Sequence, residues 1–230
     1  MSLFTIGDLH LSLSASKPMD VFGGEWVGYV DKITEGFKAV SPEDTVVLLG
    51  DLCWADNLKS SAADFKFISE LPGRKIIVKG NHDYWWETVK KMNAFFALNG
   101  FNDLNILHNN CYLYENIALC GTRGWFYEED RGDGSDKVYR REVARLETSL
   151  KAGQASGADR IFAFLHYPPV YAGYDYKEIT GLLLRYGVEK CFYGHLHGHS
   201  RRRCVEGIVD KTEYKLASGD HIGFKPLKII

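Results

Sequence analysis

The sequence predicts an α/β protein in which much of the sheet is parallel and two sheets pack together. Short β-rich, mostly apolar runs alternate along the 230 residues with segments whose apolar residues recur at helical spacing. Several of the strand-like runs end in glycine followed by a polar or ionisable residue. The second half of the chain is dense in strands, which indicates that it supplies a second sheet.

Strands are predicted wherever a short run is rich in apolar residues. The run 45–49 is nearly all apolar, which is typical of a strand covered on both faces. The runs 203–209 and 213–216 bracket Asp210-Lys211 and predict a β-hairpin. The other predicted strands are Leu3–Ile6, 75–78, 117–120, 161–165 and 190–193.

Helices are predicted by apolar residues that recur at steps of three and four. Two such stripes are Trp26, Val30, Ile33 and Phe37, and Trp85, Val89, Met92 and Phe96. Two more helices are predicted over residues 136–151 and 179–186. The irregular stretches 12–25 and 123–135 are long for loops, and loops of this length often cover a functional site.

The composition predicts a single soluble domain over residues 1–230. Hydrophobic residues make up 45% of the chain and charged residues 25%, which is ordinary for a globular protein. The net charge of -2 gives no argument for nucleic acid or an anionic membrane as a bulk partner. Five cysteines without a CxxC pair favour a reducing compartment, and neither a signal peptide nor a membrane span is recognisable. We therefore expect a cytoplasmic protein without a membrane partner.

Metal-ligating residue types follow the predicted strands. Five of the eight histidines lie there, together with three aspartates and an asparagine. The loops at the carboxyl ends of parallel strands converge on one crevice, so we expect these side chains to meet. A single histidine or aspartate is usually structural, but nine at strand ends are hard to explain in that way. The nine are Asp8, His10, Asp51, Asn81, His82, Asp83, His166, His195 and His197.

These residue types indicate a pair of divalent metal ions. Aspartates, an amide and imidazoles form a mixed oxygen and nitrogen site that suits Mn, Fe, Zn or Co rather than a thiolate-bound structural zinc. One ion holds about four to six ligands, so the set is too large for a single ion. Two ions bridged by a carboxylate can deprotonate a water between them and clamp both oxygens of an in-line displacement at phosphorus.

In their order and type, these residues resemble the calcineurin-like metallophosphoesterase superfamily. Its signature is DxH, then GD, then GNH followed by an acid, then a separate histidine, then GHxH. The corresponding blocks here are Asp8-Leu9-His10, Gly50-Asp51, Gly80-Asn81-His82-Asp83, His166 and Gly194-His195-Leu196-His197. The resemblance implies a four-layer α-β-β-α sandwich with two mixed central β-sheets. It also implies hydrolysis of a phosphate mono- or diester by a metal-bridging hydroxide.

The resemblance also implies a role for each motif residue. The first metal would be held by Asp8, His10 and His197. The second would be held by Asn81, His166 and His195, with Asp51 bridging the two. His82 would face the substrate, with Asp83 orienting its imidazole. A neighbouring carboxylate would also raise the pKa of His82 and keep it a cation near neutral pH.

The sequence departs from the Ser/Thr protein phosphatases of the superfamily. Their phosphate-binding arginines after GD and before GNH are absent, since Leu52 follows Asp51 and Lys79 precedes Gly80. The chain is more similar to the small bacterial-type phosphohydrolases, and we expect a small phosphorylated molecule or a nucleotide as substrate. Arg123 follows a strand and has two interpretations: it contacts substrate phosphate, or it forms a local salt bridge.

Two alternatives remain at the level of sequence. A nuclease would need a basic groove, for which the run Arg201-Arg202-Arg203 is a weak indication. A catalytically silent interaction scaffold of the same fold is the second alternative, because fold alone does not establish activity. Scaffolds tend to lose the GNH histidine or a ligand, whereas His10 and His82 are both present here.

Overall fold

Two β-sheets form the centre of the protein in a computed structural model that describes residues 1–125 and 134–230. The first sheet contains β1 Leu3–Ile6, β2 Thr45–Leu48, β3 Arg74–Ile77 and β4 Leu104–Ile106. The second contains β5 Cys111–Tyr114, β6 Ile117–Thr122, β7 Arg160–Leu165, β10 Val188–Tyr193, β11 Gly207–Val209 and β12 Thr212–Leu216. The pair β8 Val170–Tyr171 and β9 Tyr174–Asp175 forms a small separate ribbon, and β13 Leu227–Lys228 joins the first sheet.

Both sheets are mixed, with mostly parallel strands and an antiparallel strand at one or both edges. The first has the order β13-β1-β2-β3-β4, in which β13 alone runs antiparallel to its neighbour. The second has the order β11-β12-β10-β7-β6-β5, with a parallel centre from β12 to β6 and an antiparallel strand at each edge. The parallel strands of each sheet therefore end at one common edge, and their following loops can converge there.

Helices cover the outer faces of both sheets, which gives four layers. Because successive residues of a strand point to opposite faces, Val46 and Leu48 of β2 pack on the helix side while Val47 and Leu49 pack between the sheets. The first sheet is covered by α1 Tyr29–Gly36, α2 Ala62–Glu70 and α3 Val89–Leu98. The second is covered by α4 Gly134–Ala155 and α5 Lys177–Arg185. The predicted four-layer α-β-β-α sandwich is confirmed.

The elements deviate from the sequence predictions mainly at short segments. The hairpin of β11 and β12 is confirmed, but residues 203–206 lie outside it because a 3-10 turn occupies Gly198–Arg203. Helix α3 begins after Thr88, whose hydroxyl accepts a hydrogen bond from the Lys91 amide, so Trp85 lies before the helix. The sequence analysis did not identify α2, β4, β5, β8, β9 or β13.

The structure describes one of the two long irregular stretches in full and the other only in part. The stretch 12–25 contains short 3-10 turns at Met19–Phe22 and from Gly24 onward. Most of the stretch 123–135 lies outside the described residues. All five cysteines are free, as expected for a chain without a disulfide framework. Within the described ranges, none of the helices combines the length and the apolar character that crossing a membrane requires.

Candidate metal centre

The carboxyl ends of the two sheets meet at one site. The amide of His195, after β10, donates to Asp8 Oδ2 after β1 at 2.9 Å. The amide of His82, after β3, donates to Asp51 Oδ1 after β2 at 2.7 Å. His166 follows β7 and places Nε2 at 2.7 Å from Asn81 Oδ1. Residues from five parallel strands are thereby brought together, as the strand-end pattern predicts.

The predicted ligands form two groups around this site. In each group the candidate ligand atoms lie within 4.8 Å of one another. Asn81 joins the second group through its contact with His166. The first ligand group is Asp8, His10 and His197, and the second ligand group is Asp51, His166 and His195.

Asp51 belongs to the second ligand group and also approaches the first. Its Oδ2 atom is 3.7 Å from Nε2 of His10 in the first ligand group and 3.6 Å from Nε2 of His166 in the second. Its Oδ1 atom faces the His82 amide instead. One carboxylate oxygen is therefore directed toward both groups, the position that a bridging ligand requires.

Buried polar atoms at the centre test whether a metal fits. Among the described residues, Asp8 Oδ1, Asp51 Oδ2 and both ring nitrogens of His10 are buried and have no hydrogen-bond partner. A buried polar atom without a partner is costly, and natural proteins rarely leave one without a reason. Cations would satisfy the two carboxylate oxygens and one nitrogen of His10, while its other ring nitrogen carries the proton of the neutral imidazole. The residues present therefore fit a pair of divalent ions.

His166 supplies a second test of the same fit. Its Nδ1 lies 2.9 Å from the carbonyl of Leu49, so this nitrogen carries the proton of the neutral ring. Nε2 then presents a lone pair toward the amide oxygen of Asn81 at 2.7 Å. The lone pair of His166 Nε2 and that of Asn81 Oδ1 repel each other at this distance unless both atoms bind the same cation. The backbone contact also fixes the tautomer that a metal-bound histidine needs.

Burial raises the pKa of the aspartate ligands and lowers the pKa of the histidine ligands. It raises the pKa of Asp8 to about 6 and, together with the charges of Asp83 and Asp8, raises the pKa of Asp51 well above its ordinary value. It lowers the pKa of His195 to about 3 and the pKa of His166 well below its ordinary value. The histidines are thus neutral with lone pairs available, and positive charge nearby would favour the ionised form of both carboxylates.

The backbone is strained at several of the ligands. Asp8, His10, Asp51 and His195 have φ values of 55°, 43°, 52° and 69°, in the left-handed region that side chains with a Cβ rarely adopt. Each such residue costs on the order of 1 kcal/mol and persists only when its surroundings enforce the conformation. Four predicted ligands share this strained conformation. The contacts within the site, rather than the backbone preferences of the residues themselves, therefore determine the shape of these loops.

Two glycines of the motifs are required because ligand carboxylates lie directly against their backbone. A Cβ on Gly80 would overlap the Asp51 carboxylate, and a Cβ on Gly194 would lie 2.6 Å from Asp8 Oδ2. Real Cβ contacts are essentially never this short. These glycines therefore allow the ligand carboxylates to lie directly against neighbouring loops.

Asp83 has a role different from the one the resemblance implies. Its buried carboxylate accepts hydrogen bonds from the amides of Asp51, Leu52 and Gly80 and from Nε1 of Trp85, at 2.6–3.0 Å. Among its described hydrogen-bond partners the His82 imidazole is absent. The expectation that Asp83 orients His82 is therefore wrong. Its carboxylate instead joins the loop that contains Asp51 to the loop that contains Gly80 and Asn81.

His82 lies at the open side of the centre, and no carboxylate of the described residues pairs with its ring. Its ring is 5.7 Å from the His10 ring and 4.6 Å from the Trp54 ring, and its Nδ1 lies 3.2 Å from the Tyr84 hydroxyl. Burial, His197 and Lys17 lower the pKa of His82. The expected increase of this pKa is therefore wrong as well, because burial disfavours the charged imidazole and the nearby charges are positive.

Residues outside the motifs also shape the site. Trp54 stacks on His10 at 4.9 Å, with the Lys17 ammonium 5.0 Å above the indole. Asp220 accepts a hydrogen bond from the Gly198 amide at 2.8 Å and so fastens the loop that carries His197. No sequence motif singles out Trp54 or Lys17. Asp220 was recognisable in principle, because it follows β12 in the run Gly219-Asp220-His221, and the predicted ligands also follow strands.

The arginines considered in the sequence analysis have local partners. Arg123 lies 3.4 Å from the Glu142 carboxylate, so the salt-bridge interpretation is confirmed, although this ion pair is long. Arg201 pairs with Glu25 at 3.0 Å and lies 3.6 Å from Asp220. Arg203 lies over the Tyr171 ring. These local contacts of Arg201 and Arg203 weaken the indication of a nucleic-acid groove.

Comparisons with known proteins agree with the motifs. The family model described as calcineurin-like phosphoesterase matches residues 1–199. None of the curated proteins compared with the chain is a significant match. Similar solved structures include the phosphopantetheinyl hydrolase PptH from Mycobacterium tuberculosis, with a TM-score of 0.62, 12% identity, and coverage of 100% of this chain and 95% of that one.

Two further solved structures are similar in fold. The protein of unknown function AQ665 from Aquifex aeolicus has a TM-score of 0.51 and 18% identity, over 99% of this chain and 95% of that chain. TT1561 of Thermus thermophilus has a TM-score of 0.55 and 14% identity, over 85% and 81% of the two chains. At these identities, the likeness extends to the fold alone.

Proposed function

Because this chain belongs to the calcineurin-like phosphoesterase family, we propose that it hydrolyses a phosphate mono- or diester at a centre of two divalent metal ions. The observation that carries the proposal is the position of Asp51. One buried oxygen of this residue faces both ligand groups at nearly equal distances, 3.7 and 3.6 Å, and has no other partner among the described residues. A single-metal site or a purely structural carboxylate would not need this arrangement.

The ligand roles follow from the two groups. Asp8, His10 and His197 would hold one ion, and Asn81, His166 and His195 would hold the other, with Asp51 shared. Two ions held in this way would supply Lewis-acid chemistry, activating water and neutralising charge on the phosphate oxygens. The donor set is compatible with Mn, Fe, Zn or Co, and we expect availability to decide among them.

The protein groups around the ions support this chemistry. Burial keeps the imidazoles neutral, so each presents a lone pair to a cation. The aromatic rings of Trp26 and Trp54 lie against His10 and reduce its access to water. A low local dielectric strengthens electrostatic stabilisation of the developing charge. The loops therefore provide a rigid, largely dry half of the site, and His82 lies at its more open side.

Removing and restoring metal tests the proposal. Protein treated with a chelator is expected to lose hydrolysis of p-nitrophenyl phosphate and of bis(p-nitrophenyl) phosphate. Mn, Fe, Zn or Co, added singly, is expected to restore it with a stoichiometry near two ions per chain. A phosphopantetheinyl ester is included in the panel because a protein of this fold is named for its hydrolysis. Inactivity on every ester with all four metals would favour the scaffold, and selective cleavage of RNA or DNA would favour the nuclease.

We also propose that His82 protonates the leaving oxygen. Burial and positive neighbours lower its pKa in the free protein, and the charge of a bound phosphate dianion would act in the opposite direction and raise it. His82→Ala is expected to lower kcat about 10²-fold for alkyl phosphates, which need a proton donor, and much less for p-nitrophenyl phosphate. Tyr84→Phe, which removes the hydroxyl beside Nδ1, is the matched control and is expected to have a small effect. Equal losses on both substrate classes would contradict the acid role.

A further inference from the structure

Two free cysteines face each other across the outer hairpin of the second sheet. Cys111 of β5 and Cys120 of β6 are direct partners in the antiparallel register of these two strands. Cys120 belongs to the apolar cluster on the side of the sheet that α4 covers, and Cys111 packs against the same cluster. The two thiols therefore lie on one face of the sheet and at one level of the ladder.

The turn of this hairpin determines what kind of pair the cysteines form. Tyr114 and Ile117 are register partners on either side of a two-residue turn, so they exchange both backbone hydrogen bonds. Hydrogen-bonded and non-hydrogen-bonded pairs alternate along an antiparallel ladder, so Cys111 and Cys120 are a non-hydrogen-bonded pair. In such a pair the Cα atoms lie about 4.5 Å apart. Disulfides span Cα separations of about 4.4–6.8 Å, so the backbone here suits a disulfide.

A contact with α4 fixes the spacing of the two strands beside the cysteines. The Ser149 hydroxyl donates a hydrogen bond to the Asn110 carbonyl at 2.6 Å and accepts one from the Gly121 amide at 2.9 Å. Asn110 directly precedes Cys111, and Gly121 directly follows Cys120. One side chain of the helix thus ties both strands together at the position next to the thiols.

The two thiols differ in their access to solvent. Cys120 is fully buried, and its thiol donates a weak hydrogen bond to the Ser149 carbonyl at 3.3 Å, whereas Cys111 is half-buried. Burial raises the pKa of Cys111, and burial followed by the charge of Cys111 raises the pKa of Cys120 to about 12. Because little thiolate is present near neutral pH, both thiols react slowly and stay reduced until an oxidant is supplied.

We propose that Cys111 and Cys120 form a disulfide when the protein meets a peroxide. The half-buried Cys111 sulfur attacks one oxygen of hydrogen peroxide, the O–O bond breaks, and a sulfenic acid and one water form. The Cys120 sulfur then attacks the Cys111 sulfur, the S–O bond breaks, and the departing hydroxide takes the Cys120 proton as a second water. Two thiols are thereby oxidised and one peroxide is reduced. The bond would fix β5 covalently, an edge strand that pairs with β6 alone.

Peptide mapping of the oxidised protein tests the proposal. The full chain is supplied with Zn²⁺, which has no redox chemistry, and treated with hydrogen peroxide, and the remaining thiols are alkylated after unfolding. Trypsin leaves both cysteines on the peptide 92–123, because no lysine or arginine separates them. The linked peptide is expected to be two hydrogen atoms lighter and to carry no alkyl group. Cleavage after Glu115 divides this peptide, and the disulfide should hold its two parts together until it is reduced.

Three results of the mapping would overturn the proposal. The first is a Cys120 that is still alkylated after the longest treatment. The second is a Cys111 that proceeds to the sulfinic acid without forming a disulfide. The third is a disulfide from Cys111 to any cysteine other than Cys120.

Two serine variants assign the disulfide to this pair. In Cys111→Ser, the buried Cys120 has lost the partner through which it is oxidised, so it is expected to remain free for alkylation. Cys204→Ser is the matched control, because Cys204 is the other half-buried cysteine and has no part in the hairpin. This variant is expected to form the disulfide as the parent does. Equal oxidation of Cys120 in Cys111→Ser, or loss of the disulfide in Cys204→Ser, would contradict the assignment.

The melting temperature measures whether the folded protein accommodates the disulfide. Closing the segment 111–120 restricts the unfolded chain, so the oxidised protein is expected to melt at least about 2 °C above the reduced protein. Dithiothreitol should reverse this increase, and Cys111→Ser should show none after the same treatment. An oxidised protein that melts at or below the temperature of the reduced protein would overturn the fit of the disulfide to the native strands. None of these measurements needs a substrate, so their failure is distinct from a failure of the proposed function.

Discussion

Asp51→Asn is expected to lower kcat/KM for phosphate esters at least about 10³-fold, or about 4 kcal/mol of transition-state stabilisation. Asparagine retains a carbonyl oxygen that accepts the hydrogen bond from the His82 amide, so the loop should keep its shape. At the other position it places an amide nitrogen between His10 and His166, where no metal can be bound. Steady-state kinetics and the metal content of the purified variant measure both effects.

The free energy of unfolding of Asp51→Asn is a second prediction. The pKa of Asp51 is raised by burial and by the charges of Asp83 and Asp8, so its ionised form is unfavourable in the metal-free fold. Metal-free Asp51→Asn should therefore be at least as stable as the metal-free parent at pH 7, and metal should no longer stabilise it. Urea denaturation with and without Mn²⁺ measures this difference.

A buried aspartate outside the site provides the control. Asp44 accepts hydrogen bonds from the amides of Ser2 and Ser41, at the amino-terminal ends of β1 and β2. Asp44→Asn is expected to lose stability and to keep hydrolysis, the reverse of Asp51→Asn. If Asp51→Asn retained turnover within about tenfold of the parent, the bridging role of Asp51 would be untenable.

The convergence of the ligands was predictable because it depends on topology alone. Parallel strands that end at one edge must deliver their following residues to that edge, wherever the strands lie in the sequence. The runs that end before Asp8, Asp51 and His166 were recognisable by their apolar character, which the covered centre of each sheet requires. The convergence of these residues could therefore be anticipated without knowledge of the helices, whereas their division into two ligand groups was implied only by the family resemblance.

The short elements were not predictable, because their stability comes from tertiary contacts. Helix α2 buries Asp64 beside Phe65 and Ile68, so its buried face is not a continuous apolar stripe in the sequence. Strands β8, β9 and β13 have two residues each. The left-handed conformations of Asp8 and Asp51 oppose the local preference of aspartate, so the surrounding loops must impose them.

The orientation of Asp83 shows a further limit of sequence reasoning. His82 is its neighbour in the chain, and adjacency made a contact between the two side chains plausible. The actual partners Asp51 and Leu52 lie 32 and 31 positions away, and they are backbone amides that a sequence motif does not reveal. The motif therefore indicated that Asp83 lies near the ligands, but the partner assigned to its carboxylate was wrong.

Asp83→Ala is expected to destabilise the metal-free protein by at least about 3 kcal/mol. The substitution leaves the buried amides of Asp51, Leu52 and Gly80 and the indole N–H of Trp85 without an acceptor. Asp83→Asn should also be costly, because each carboxylate oxygen accepts two of these hydrogen bonds and an amide nitrogen at either position would face two donors. Urea denaturation of chelator-treated protein measures the loss without a contribution from metal binding.

The consequence for the centre follows from the loops that Asp83 joins. Asp51 lies on one loop and Asn81 on the other, so release of the fastening should weaken metal binding as well as folding. Trp85→Leu is the control for metal binding, because it leaves both loops attached to Asp83 and loses stability through the buried indole instead. A metal-free Asp83→Ala protein that unfolded within about 1 kcal/mol of the parent would contradict the fastening role. If its pH profile of hydrolysis had shifted as well, Asp83 would instead act on the ionisation of His82.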